Sequence, residues 1–111
     1  MSGEAASGGV EIDAAALSGR LGGAGRDYAL IDIRETHELG RGMIPGAVHL
    51  PMSAIAERVG DLDAGRETVV YCEHGVRSLD VAMWLGTKGH TAVSLAGGFA
   101  AWPGPTMPRP E

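Results

Sequence analysis

Five short apolar runs punctuate the chain, at residues 10–12, 28–33, 47–50, 68–72 and 92–96, and each gives way to a segment of another character. Residues 13–21 carry a helical pattern with Asp13 in the N-cap position, and a second such pattern runs over 53–62 with Ser53 as its cap. A longer helix is predicted from Arg77 or Ser78 to about Lys88, closed by Gly89, and "GFAAW" forms a short last helix. Strands that are apolar almost throughout, separated by helices, must be covered on both faces. That requirement predicts an α/β fold with a mainly parallel five-stranded sheet between helices. With 111 residues, 44% of them apolar, the chain supports one domain that buries about 65% of its unfolded surface. The domain is expected over 10–102. Residues 1–9 are small and polar, and 103–111 hold four prolines that exclude helix and central strand, so both ends read as tails.

Charge and composition exclude several classes of function. A net charge of −5 and a pI near 5.3 offer no basic field to nucleic acid or to an anionic membrane, and neither partner is expected. No apolar run reaches the roughly 18 residues of a membrane span, and "MSGEAASGG" has neither the cationic head nor the apolar stretch of an export signal. A cytoplasmic location is the expectation. The single cysteine, Cys72, cannot form an internal disulfide or a CxxC redox pair, which fits a reducing compartment.

Cys72 stands at the end of the apolar run 68–72, directly before a polar loop and a helix. Ligands of open parallel sheets gather outside the carboxyl ends of strands, and there the helix start leaves backbone N–H groups unpaired. Those groups favour an anion. A helix terminus stabilises a nearby charge by about 0.3–1 kcal/mol, and up to about 2 in a protected geometry. The thiolate fraction at neutral pH then rises from a few per cent to roughly a quarter. Burial in apolar surroundings acts the other way, and a cysteine that ends an apolar strand is often simply core. The residues that follow favour a reactive thiol: Glu73, His74, Gly75, Val76, Arg77 and Ser78 form a polar loop with one glycine, suited to an anion-binding curl.

Three stretches together resemble the rhodanese-like domain family over residues 10–102. "LIDIRETHELGRGMIPGAVHLP" at 30–51 is similar to the family's strand and loop pattern. "YCEHGVRS" at 71–78 resembles its six-residue active-site loop, and "LAGGFAAW" at 95–102 matches its closing L-x-G-G-x-x-A-W signature. Met43 stands where the family usually has histidine, and Glu73 where thiosulfate-specialised members tend to carry a basic residue.

The resemblance implies a sulfurtransferase in which Cys72 takes a sulfane sulfur from thiosulfate or a persulfide, holds it as a persulfide, and yields it to cyanide, a thiol or a protein. It implies no cofactor and no metal. The amides of residues 73–77 would form the cradle, Arg77 would face the donor's charge, and Ser78 would act as helix cap or as a hydroxyl facing the sulfur. Asp32 and Arg34 end the second strand and stand near enough to support the site, with an ion pair between them or with Glu35 or Glu38 as the expected role. A cysteine desulfurase or a sulfur-carrier protein is the protein partner implied. Two other readings accompany this one: a non-enzymatic carrier or interaction module, and a cysteine-dependent phosphatase or arsenate reductase. The phosphatase loop has five residues between cysteine and arginine, whereas this chain has four between Cys72 and Arg77. The four histidines, 37, 49, 74 and 90, lack metal-site spacing.

Overall fold

The computed structural model describes residues 10–21 and 27–109, so the expected N-terminal tail lies outside the described residues. Five strands, β1 (Glu11–Ile12), β2 (Tyr28–Asp32), β3 (Val48–His49), β4 (Glu67–Tyr71) and β5 (Ala92–Leu95), form one all-parallel sheet in the order β1-β5-β4-β2-β3. Helices α1 (Ala14–Leu21), α2 (Met52–Arg58) and α3 (Val76–Thr87) join them, with 3-10 turns at Thr36–Arg41, Val59–Asp61 and Phe99–Ala101. Among the described residues no helix is long and apolar enough to cross a membrane.

The period of two along each strand divides the core into two layers. Tyr28 and Leu30 of β2 with Val69 and Tyr71 of β4 meet Leu17 of α1 together with Leu39, Phe99 and Trp102. Ile31, Ile33, Val70 and Cys72 face the other way, toward Ile55 of α2 and Val81 and Leu85 of α3. Trp84 is half-buried on that second layer, beside Val81 and Leu85. The thiol therefore shares a face with the helix that follows it.

Local chemistry sets the helix ends, and in two places it differs from the expectation. Asp13 caps α1, its Oδ1 accepting the Ala16 N–H at 2.8 Å. Ser53 does not cap α2. The helix starts one residue earlier behind Pro51, whose φ of −62° suits a helix entry, and the Ser53 amide and hydroxyl instead donate to the Glu35 carboxylate at 3.0 and 2.9 Å. Likewise α3 begins at Val76 rather than at Arg77 or Ser78, because Gly75 takes a left-handed φ of 90° and turns the chain into the helix immediately. At its other end Gly89, with φ 92°, closes α3 as expected.

Residues 103–109, expected as a tail from their prolines, return to the domain. Met43 and Met107 exchange backbone hydrogen bonds at 2.9 and 2.8 Å, Met107 packs against the first core layer, and the Trp102 indole N–H donates to the Pro105 carbonyl at 2.9 Å. Prolines bar this segment from the sheet, but the free N–H of Met107 still pairs.

Candidate active site

Strands β2 and β4 are neighbours, yet the chain leaves β2 toward one edge of the sheet and β4 toward the other. Such a reversal opens a crevice beyond the carboxyl ends of the two strands. Asp32 and Arg34 follow β2 into that crevice, and Cys72 follows β4.

The Cys72 sulfur accepts the Gly75 N–H at 3.1 Å and the Ser78 N–H at 3.3 Å, with the Ser78 hydroxyl oxygen at 3.4 Å. Cys72 is only 1% exposed. Burial pushes the thiol pKa up, but the Ser78 hydroxyl and the amides of Ser78, Gly75 and His74 together outweigh it and hold the thiol below its ordinary value. Of the amides expected to form the cradle, those of His74 and Gly75 act on the sulfur, and Ser78, one residue beyond that range, adds both its amide and its hydroxyl. Ser78 therefore faces the sulfur rather than capping α3, whose N-cap is Gly75. Behind it the hydroxyls of Ser78 and Ser94 lie 2.7 Å apart, both fully buried. Ser94 was not foreseen from the sequence, since it reaches Ser78 only through the packing of β5 beside α3.

A clamp from the end of the sheet fixes the loop. The N–H groups of Phe99 and Ala100 donate to the carbonyls of Cys72 and Glu73 at 2.9 and 2.8 Å. This approach requires Gly98: at φ 65°, a Cβ there would stand 2.6 Å from the Cys72 oxygen and 2.5 Å from the Glu73 oxygen. Gly75 is confined from the other side, where its Cβ would lie 2.9 Å from the Gly97 nitrogen. The closing glycine pair thus lets the strand-end carbonyls bond to the Phe99–Ala101 turn while the amides of Gly75 and Ser78 point back at the sulfur.

Three guanidinium groups surround the loop. Arg34 is fully buried and grips the equally buried Asp32, with Nη2 donating to Oδ2 at 2.7 Å and Nε donating to both carboxylate oxygens. It also donates to the carbonyls of Glu38 and Gly42 at 3.1 and 2.7 Å, and to the Glu73 carboxylate at 3.2 Å. Its charge lies 4.1 Å from the centre of the Phe99 ring. Asp32 and Arg34 therefore form the ion pair expected of them, and Arg34 ties the Thr36–Arg41 turn to the loop. Arg41 also donates to Glu73, so the acidic loop side chain turns away from the sulfur toward these two arginines.

Arg77, in the first turn of α3, donates from Nη1 and Nη2 to the two Glu38 oxygens at 3.0 and 2.7 Å. Bonding to Arg77 overrides partial burial and holds the Glu38 carboxyl at about 2. The same pairing, joined by attraction to the Cys72 sulfur, raises the Arg77 pKa. Glu38 was foreseen only as a partner for Asp32 or Arg34. Its partner proves to be Arg77, 39 residues away in the chain, a separation over which the sequence carries no pairing signal. The side chains of His74 and Val76 are exposed at the rim.

Comparison with known proteins agrees with this geometry. The family model described as "Rhodanese-like domain" matches residues 13–104. A protein named sulfurtransferase from Allochromatium vinosum is 41% identical over 93 residues, covering 83% of this chain and 86% of its own length. Thiosulfate sulfurtransferase GlpE of Shewanella oneidensis is 39% identical over 69% of this chain and 77% of its own. The crystal structure of a rhodanese-related protein from Thermoplasma volcanium superposes with a TM-score of 0.80 at 29% identity, over 88% of this chain and 97% of that one. The chain belongs to the rhodanese-like domain family.

Proposed function

We propose that the chain is a sulfurtransferase whose Cys72 thiolate carries a sulfane sulfur between a donor and a thiophilic acceptor. One observation carries the reading: a buried sulfur with two backbone amides and a hydroxyl turned on it, at the carboxyl end of the strand where a ligand site is expected. The relatives named as sulfurtransferases support the same class of reaction.

In the first half-reaction the Cys72 thiolate attacks the outer sulfur of the donor. The new S–S bond forms as the donor's own S–S bond breaks, and the electron pair leaves with sulfite or with a thiolate. The product on the protein is an anionic persulfide. Donors fixed in place for one sulfur charge stabilise the other without reorganising, as preorganised amides do at an oxyanion. In the second half-reaction the acceptor attacks the outer sulfur, and the Cys72 thiolate is the leaving group. So close a cradle suits a single sulfur atom better than a tetrahedral phosphate. A thiolate of this kind works in a reducing compartment, in keeping with a cytoplasmic location.

Steady-state assays test the proposal. Initial rates with thiosulfate and cyanide should give parallel double-reciprocal lines, the mark of a covalent relay, and Cys72→Ser should lose turnover entirely. Turnover that survives in Cys72→Ser contradicts the assignment.

A further inference from the structure

The charges around the loop balance. Arg34, Arg41 and Arg77 contribute three positive charges, and each is paired with a carboxylate from Asp32, Glu73 or Glu38. The thiolate then makes the site net negative. Arg77, in the first turn of the helix that follows the Cys72 loop, turns both terminal nitrogens, Nη1 and Nη2, onto the two oxygens of Glu38.

Glu38 is not a casual surface partner. Its Oε1 also accepts the Glu35 N–H at 2.9 Å in a reciprocal capping box, and the Arg34 guanidinium anchors the turn that carries it through the carbonyls of Glu38 and Gly42. The carboxylate is therefore held against Arg77 from its own side. A donor with one negative charge on its outer sulfur needs only the amides that serve the thiolate. A dianion carries a second charge, which finds every nearby guanidinium already neutralised.

Building on the sulfur-transfer reading, we infer that Glu38 sets the charge of the donor: by occupying Arg77 it reserves the site for monoanionic sulfane donors, persulfides and thiosulfonates, over dianionic ones. Glu38 touches neither sulfur. It is a positioning residue that acts through Arg77.

Thiosulfate and methanethiosulfonate form a matched pair of probes. Each gives up its outer sulfur by cleavage of one S–S bond, releasing sulfite from the dianion and methanesulfinate from the monoanion. The unsubstituted protein should show the higher kcat/KM with methanethiosulfonate. Glu38→Gln keeps an oxygen for the Glu35 amide while removing the charge. It should raise kcat/KM for thiosulfate about tenfold, through KM and not kcat, and move the monoanion by less than about threefold. Replacing Arg77 with Gln in the Glu38→Gln background should erase the gain. A second measurement needs no variant: in the unsubstituted protein added salt should narrow the preference for the monoanion, because screening relieves the dianion more. Equal changes for both donors, a gain that survives the Arg77 replacement, or a preference of the unsubstituted protein for thiosulfate at low salt each overturn the role of Glu38. Sulfur uptake from neither donor in either protein sinks the sulfur-transfer reading itself, and the inference with it.

Discussion

Two opposed forces meet at the Cys72 sulfur: burial, which favours the neutral thiol, and hydrogen bonds from Ser78, Gly75 and His74, which favour the thiolate and prevail. Removing one hydroxyl therefore moves the balance. Ser78→Ala should raise the midpoint of the alkylation-rate pH profile by about one unit, the equivalent of one hydrogen bond to a charged group, while leaving the fold intact. Since the folded value is the lowered one, sulfur uptake should persist below the ordinary thiol range and fall only as pH drops through the depressed value. Arg34 poses a different problem, because its partner in the ion pair, Asp32, is fully buried. Arg34→Met should cost about 3–5 kcal/mol in a urea melt, the price of stranding that carboxylate. At this scale Cys72 and the Asp32–Arg34 pair were readable from sequence, since their spacing is local. Ser94 and the Glu38–Arg77 pair were not, because both arise from packing between segments distant in the chain.

Individual elements owe their placement to a few backbone contacts. The Phe99–Ala101 turn holds the end of β4 through two carbonyls, and Gly98 permits the approach. Gly98→Ala should therefore abolish sulfur uptake more completely than it destabilises the chain, since the clamp would have to open by most of an ångström or more to clear the new Cβ. The Thr36–Arg41 turn docks on α3 through Glu38 and Arg77, and this contact is sensitive to acid. Glu38 has a folded value of about 2 against an ordinary 4.5, so its contribution to stability is complete above pH 4.5 and is lost as pH falls toward 2. Denaturant midpoints measured over that range should fall less steeply in Glu38→Gln than in the unsubstituted protein. The strands were visible in sequence because each is a dense apolar run. Helix starts were less so: Ser53 looks like a cap, but only the folded chain brings Glu35 within reach of its amide and hydroxyl.

For the whole molecule, the parallel order β1-β5-β4-β2-β3 sets the end of β4 beside the end of β2, and so gathers the thiol, the buried ion pair and the loop into one crevice. Alternating apolar strands and helices were enough to foresee a mainly parallel five-stranded sheet between helices, but not the order of its strands. They did not disclose the return of residues 103–109, because a proline-rich stretch has no periodicity to read, and it is held by the pairing of Met107 with Met43 and by the Trp102 indole on the Pro105 carbonyl. Deleting residues 103–111 should lower stability by about 2 kcal/mol, from lost Met107 burial and two backbone bonds, and it should leave sulfur uptake in place. The central claim is that the fold keeps Cys72 as a thiolate that accepts one sulfur atom. Intact mass after incubation with a sulfane donor tests it most directly. The account predicts a gain of one sulfur, removed by cyanide and absent in Cys72→Ala; an unchanged mass with thiosulfate, methanethiosulfonate and a persulfide alike would contradict it.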